Sequence, residues 1–392
     1  MTVSPDEFRS ELRTWLQAHL TPELRGPAIA QLDDEERVAV LRRWQASLAA
    51  DRWVAITWPR AYGGRDATIA QQIAYVEEMT RAEAPPVVNG LGIGIVGPPI
   101  LAFGTEEQKR EFAPKILNAE HIWCCGFSEP GAGSDLASLR TTARLDGDHF
   151  VLDGQKVWTS LAQHADWCMV FCRTDPESVR RNGVSVLLVD MKSPGVTVRP
   201  LRQINGQAEF NEVFFEEVRV PRANLLGELH KGWPIVTSAL QNERGIMYVV
   251  EMQIVLKRQR DEIVKLIRGD ERARRDPLTR QKLADLYLGV ETFRSTCQRT
   301  LSQLLRAGMP GPEASIIKMH WTALTQTMPK VTMGVLGPRA QLYDAPQPGE
   351  RPDPTEWVQA SYLGAPAASS ASGTSEIMKG IIAMQVLGLP RS

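Results

Sequence analysis

Between Trp123 and Asp135 the chain reads Trp-Cys-Cys-Gly-Phe-Ser-Glu-Pro-Gly-Ala-Gly-Ser-Asp, and Gly154 to Ser160 reads Gly-Gln-Lys-Val-Trp-Thr-Ser. Pro130, Gly131 and Gly133 permit a tight turn whose exposed amides can face phosphate or carbonyl oxygens. Ser128 and Ser134 flank that turn with hydroxyls. Trp158 offers a large aromatic plane beside the hydroxyls of Thr159 and Ser160, a combination suited to a flat ring. Either piece alone would be an ordinary turn or a core tryptophan. Both together, at this spacing and opening one strand-rich segment, point to a seat for a flat cofactor.

Two other patterns carry less. Gly92-Ile-Gly-Ile-Val-Gly97 matches the G-x-G-x-x-G dinucleotide fingerprint, which works between a strand and a helix of a βαβ unit. Here the flanks read helical and Pro98-Pro99 follows at once, so the glycines are expected to let apolar helices approach closely. His164, Cys168 and Cys172 recur every four residues, a helical spacing for a metal. Trp167 to Arg173 reads as a strand instead, which puts Cys168 and Cys172 on one face as core residues. No metal is expected. Five cysteines, an odd number without a secretion signal, argue for a reducing compartment.

The elements that must position these residues fall into three segments, 1–120, 121–228 and 229–392. The first reads helical. Glu36 to Leu48 and Gln71 to Glu83 carry apolar residues at three- and four-residue spacing. Trp58-Pro59 and Tyr62-Gly63-Gly64 form a rigid turn, and Thr105-Glu-Glu-Gln108 is an N-terminal capping box. In the second, Asp146-Gly147 and Asp153-Gly154 read as hairpin turns around a short strand, His149 to Leu152. Val184–Val189, Glu212–Phe215 and Val218–Val220 are further strands of a compact barrel or sandwich. The third is helical again, with runs at Trp233–Leu266, Leu278–Ala307 and Ala314–Leu336 and a loop at Ala345–Pro354. Its last helix starts near Thr374-Ser375 and stops at Gly388-Leu-Pro390. Helices segregated from strands in this order make an α+β chain, not a doubly wound one.

Lys plus Arg total 45 and Asp plus Glu 46, and no basic block supplies the face that nucleic acid requires. Val87 to Phe103, the most apolar window, is broken by Asn89, four glycines and Pro98-Pro99, so no membrane insertion is expected. Met1 to Leu20 alternates charges with apolar residues as an amphipathic helix rather than a signal peptide. The expected location is the cytoplasm.

The chain resembles the acyl-CoA dehydrogenase family along nearly its whole length. The resemblance rests on Trp58-Pro-x-x-Tyr-Gly-Gly64, Gly104-Thr-Glu-Glu-Gln-Lys109, Glu129-Pro-Gly-Ala-Gly-Ser-Asp135, Gly154-Gln-Lys-x-Trp158, Arg219-Val-Pro221, Gly373-Thr-Ser-Glu-Ile377 and Leu387-Gly-Leu-Pro390. It implies a helical N-terminal domain, a middle β-barrel or sandwich and a C-terminal four-helix bundle, with FAD between the last two domains. It further implies α,β-dehydrogenation of an acyl-CoA thioester to the 2-enoyl-CoA, with hydride passing to flavin N5 and electron-transfer flavoprotein as the acceptor. Carried over by position, Phe127 and Ser128 line the flavin, and Ser134 lies where cofactor and thioester meet. Trp158, Thr159 and Ser160 pack on the isoalloxazine, and Thr374 and Glu376 contact FAD from the tail.

Two departures from the family pattern matter. Many members carry the catalytic Glu immediately before the Gly-Thr of the tail, where this chain has Ser372, a hydroxyl unable to hold a proton from a thioester α carbon. A minority supply the carboxylate from a helix at the start of the C-terminal domain, where this chain has Glu243-Arg244. Glu243 is therefore the expected base and Arg244 helps to fix the substrate site, beside Ser372. The Arg-x-x-Phe-Gly motif that reaches a neighbour's FAD in the common homotetramers is missing from 267–277. This looks like the actinobacterial enzymes of steroid side-chain or other bulky acyl-CoA catabolism, many of them heteromers of two acyl-CoA dehydrogenase chains. A homo-oligomer stays open, as do a same-fold flavin oxidase and a non-catalytic partner subunit.

Overall fold

Apolar-rich runs separated by turns between 123 and 226 are realised as eight strands of one sheet. These are β1 (Trp123–Gly126), β2 (Thr142–Asp146), β3 (His149–Ser160), β4 (Trp167–Arg173), β5 (Val184–Asp190), β6 (Val196–Leu201), β7 (Phe210–Pro221) and β8 (Leu225–Leu226). The order is β6-β7-β3-β2-β4-β5-β8, and β1 adds to β4 in parallel. Strands distant in that order feed one core: Val213, Phe215, Val218 and Val220 of β7 join Leu187 and Val189 of β5 around Phe150, Leu152, Cys124, Cys168 and Cys172. The sheet thus closes over its own apolar face. Cys168 and Cys172 lie in β4 as buried core residues, as the strand reading requires. Gly147, at φ 61°, turns the β2–β3 hairpin. Asp153-Gly154 does not turn the chain. β3 runs straight through it for 12 residues, with a register shift against β7 between Leu152 and Gly154. The glycine is needed because a Cβ there would meet Thr141 Oγ1 at 2.5 Å.

The computed structural model describes residues 3–29, 32–242, 246–307, 311–342 and 356–390. Its helices are α1 (Pro5–His19), α2 (Gly26–Ile29), α3 (Asp34–Ala50), α4 (Ile69–Arg81), α5 (Gly97–Phe103), α6 (Glu106–Leu117), α7 (Trp233–Asn242), α8 (Ile246–Gly269), α9 (Glu271–Arg275), α10 (Pro277–Ala307), α11 (Ala314–Leu336), α12 (Glu356–Gly364) and α13 (Ser375–Ile381). Contacts gather the chain into two units, one of Met1–Leu16, Ile69–Glu83 and Gly245–Ser392, the other of Gln17–Thr68 and Ala84–Arg244.

In the unit that holds the sheet, α3 and α6 both begin with complete capping boxes, Asp33 with Glu36 and Thr105 with Gln108. The Gln108 amide also donates to the Ala223 and Leu225 carbonyls at 2.8 and 2.9 Å, tying α6 to the sheet's end. Gly92 to Val96 forms a π-turn leading into α5, with no strand before it. Trp58 Nε1 donates to the Ile93 carbonyl at 3.1 Å. A Cβ on Gly97 would sit 2.0 Å from the Trp58 ring. Gly97 and Gly92 therefore serve close packing against Trp58 and Asn89, and the run does not form the turn of a βαβ unit.

In the other unit α8, α10 and α11 pack on one another and α4 packs on α8. Lys318, buried in α11, donates to the Ala368 carbonyl at 2.8 Å, and Thr322 reaches the same oxygen at 3.1 Å. Thr374 caps α13 by accepting from the Ile377 amide at 3.3 Å, and Gly388, at φ 66°, stops the tail helix as expected. Among the described residues no helix is long and apolar enough to cross a membrane.

Candidate functional site

The two chemistry-bearing motifs meet where β1 ends. The Ser128 carbonyl accepts from the Val157 amide at 2.9 Å, so the residue after Phe127 lies against the residue before Trp158. Glu129 and Ala132 exchange backbone hydrogen bonds at 3.1 and 3.0 Å and close a turn over Pro130 and Gly131. A Cβ on Gly131 or Gly133 would meet nothing within 4 Å, so these backbones lie open to an approaching group. Phe127 stacks on Phe171 of β4 with centroids 4.5 Å apart.

Beneath the turn lies a buried ion pair. Lys156 is fully buried and Glu129 is 7% exposed, with Nζ 2.8 Å from Oε1. Lys156 also donates to the Phe127 carbonyl at 3.1 Å, and the Glu129 carboxylate accepts from the Arg140 and Thr141 amides at 2.6 and 3.0 Å. Gly126 makes room, since a Cβ there would stand 3.1 Å from Lys156 Cγ. Burial opposes the charge on both partners. It lowers the Lys156 ammonium below the usual lysine range against the pull of Glu129. On Glu129 burial is outweighed by Lys156 and the two amides, which hold its carboxyl below the usual range. An ion pair this deep needs further hydrogen bonds to persist, and here the Phe127 carbonyl and the Arg140 and Thr141 amides supply them. Neither residue was singled out from sequence, although both lie inside the quoted motifs. The available signal was a lysine flanked two residues away on either side by the uncharged Gly154 and Trp158.

Trp158 sits in the second register shift of β3 against β7, between Lys156 and Thr159, at φ 59°. A left-handed tryptophan costs about 1–3 kcal/mol of backbone strain. Trp158 is 61% exposed and meets the Phe210 ring edge-on, with centroids 6.2 Å apart. Covering that exposed apolar area would be worth about 3 kcal/mol. Strain that displays an aromatic plane instead of burying it marks a binding surface.

Of the other residues expected at the site, Ser134 is exposed in the loop after the turn and Ser160 is half-buried at the end of β3. Thr159 is buried, its Oγ1 without a hydrogen-bond partner. Ser372, Thr374 and Glu376 belong to the other unit, where Ser372 is left-handed at φ 55° and Glu376 is exposed in the first turn of α13. Glu243 and Arg244 lie outside the described residues. The Cys172 thiol is pushed up to about 12 by burial, which keeps it protonated and inert. His164 is spent on Asp34, at 2.5 Å.

A displayed indole, two open glycine backbones and flanking hydroxyls fit a flat group that carries phosphates, and FAD is such a group. A strand-rich middle segment between helical ones, bearing this site, defines the acyl-CoA dehydrogenase class of flavoprotein oxidoreductases. Models of its three domains match in order: "Acyl-CoA dehydrogenase, N-terminal domain" over residues 4–120, the middle domain over 124–218 and the C-terminal domain over 230–387. The chain belongs to the acyl-CoA dehydrogenase family and has its α+β fold of helical, β and helical domains. It is 40% identical over 395 aligned positions to acyl-CoA dehydrogenase IpdE1 of Mycobacterium tuberculosis, covering 98% of each chain. Among solved structures it is similar to the Tcur3481-Tcur3483 steroid ACAD, with TM-score 0.84 and 28% identity over 100% of this chain and 99% of that one. A second, the ChsE4-ChsE5 complex from Mycobacterium tuberculosis, matches with TM-score 0.81 and 32% identity over 100% of both chains.

Proposed function

We propose that this chain binds FAD and dehydrogenates a bulky, steroid-derived acyl-CoA thioester to the 2-enoyl-CoA, with Glu243 as the base. The observation that carries the cofactor reading is Trp158, strained and displayed beside Phe127 and Ser128. The substrate class is supported by the steroid acyl-CoA dehydrogenase among the similar structures. When bound, FAD supplies the acceptor for the β-carbon hydride. The chain's own residues do the rest. Glu243 takes the α-carbon proton, and Arg244 fixes its surroundings. Ser134 and Ser372 hold the thioester end, while Phe127, Ser128, Trp158, Thr159 and Ser160 orient the ring and exclude water from one side. Thr374 and Glu376 support the cofactor from the tail. Segments 1–120, 121–228 and 229–392 serve as the three domains.

The missing Arg-x-x-Phe-Gly motif, and the two-chain names of the similar Tcur3481-Tcur3483 and ChsE4-ChsE5 structures, support a heteromer with a second acyl-CoA dehydrogenase chain. Electron-transfer flavoprotein is the proposed electron acceptor, and the cytoplasm the proposed location. Native mass spectrometry tests the assembly. The expected result is full FAD occupancy only beside a different chain, and one FAD per protomer in a stable homo-oligomer refutes the heteromer.

A further inference from the structure

Lys156 is joined to more than its counterion. Its ammonium donates to the Phe127 carbonyl at 3.1 Å, and the N–H of that same peptide belongs to Ser128. The Ser128 carbonyl is occupied by Val157, but its N–H meets no acceptor among the described residues. A cation bonded to a peptide oxygen draws electron density toward that oxygen and makes the N–H a stronger donor, more so where water is excluded. Gly126 leaves the Lys156 stem its place, since a Cβ there would stand 3.1 Å from Lys156 Cγ. Glu129 keeps the ammonium compensated and, through the Arg140 and Thr141 amides, fixes the turn that presents Ser128.

We propose that Lys156 is a positioning residue for the flavin. It acts through the Phe127–Ser128 peptide, whose N–H donates to the carbonyl edge of the isoalloxazine and favours the reduced, more electron-rich ring. This rests on the reading that Ser128 lines FAD.

The test is the reduction potential of bound FAD in the holoenzyme, measured against a redox dye for wild type, Lys156→Met/Glu129→Gln and Glu129→Gln. The double variant removes both buried charges together, which spares the fold the cost of an unpaired one. It is expected to bind reduced relative to oxidised flavin about tenfold less well, a potential about 30 mV more negative for a two-electron couple. Glu129→Gln leaves the ammonium uncompensated and is expected to shift the potential the other way. An unshifted potential in the double variant, or shifts of the same sign in both, overturns the proposal.

Resonance Raman of the wild-type holoenzyme needs no variant to fold. A flavin carbonyl stretch below that of free FAD is expected, and a stretch at the free value overturns the proposal. Wild type that takes up no FAD overturns the underlying functional reading and this inference with it. Wild type that carries FAD bleached by substrate, with unshifted variants, overturns this inference alone.

Discussion

Two buried glutamates in this molecule are held in opposite ways. Glu78 on α4 is 2% exposed and receives three guanidinium groups, from Arg9 and Arg13 of α1 and from Arg81 on its own helix. Those arginines keep contact with solvent, at 31%, 44% and 55% exposure, and Arg9 also pairs with Glu77 at 2.6 Å. Burial alone would raise the Glu78 carboxyl, yet Arg13, Arg9 and Arg81 bring it down to about 2. Glu129 has one ammonium, wholly buried, and two amides. The first arrangement is redundant and clamps two helices. The second is one-to-one and joins the two motifs that carry the chemistry. Redundant charge tolerates loss, whereas a single matched pair fixes one geometry and fails when either member goes.

The largest expected effect comes from breaking the matched pair. Lys156→Met leaves Glu129 buried without a cation, and should lower unfolding free energy by about 3–5 kcal/mol in urea titration and release FAD. A variant as stable as wild type would show that the two clusters do not differ in kind. Next is Trp158→Ala, which removes a displayed side chain from a strained position. Its urea midpoint should stay near wild type while the FAD dissociation constant rises about 10- to 100-fold, following the exposed apolar area. Loss of fold with unchanged FAD affinity would reverse the roles assigned to strain and display. The smallest effect is expected at the redundant cluster. Arg13→Ala leaves Arg9 and Arg81 on Glu78, and should cost less than about 1 kcal/mol because its guanidinium is solvent-screened. A cost as large as that of Lys156→Met would erase the comparison.

Local signals in the sequence were legible where the physics is local. The Thr105–Gln108 capping box, the Thr374 start and Gly388 stop of the tail helix, and the strand through Cys168 and Cys172 all stand as read. Asp153-Gly154 misled because a glycine serves a turn and a close strand crossing equally well, and only Thr141 across the sheet decides between them. The Glu129–Lys156 pair was hidden for the same reason: its members are 27 residues apart, and no periodicity links a loop carboxylate to a strand ammonium. The left-handed backbone at Trp158 was equally invisible, since a bulge arises from pairing with β7 and not from the strand's own residues. The pairing of α1 with α4 through Arg9, Arg13 and Glu78 is a long-range match again, as is the packing of α4 on α8.

The central claim is that FAD bound here accepts electrons from an acyl-CoA whose α proton is taken by Glu243. Anaerobic bleaching of the bound flavin by a steroid-derived acyl-CoA, followed in wild type, Glu243→Gln and Glu376→Gln, tests it most directly. With the partner chain present, wild type should bleach. Glu243→Gln should keep FAD and slow bleaching by about 10²- to 10⁴-fold, the usual cost of losing a general base. Glu376→Gln should act on cofactor retention and leave the bleaching of bound FAD near wild type. Bleaching that stops in Glu376→Gln and proceeds unhindered in Glu243→Gln would contradict the account.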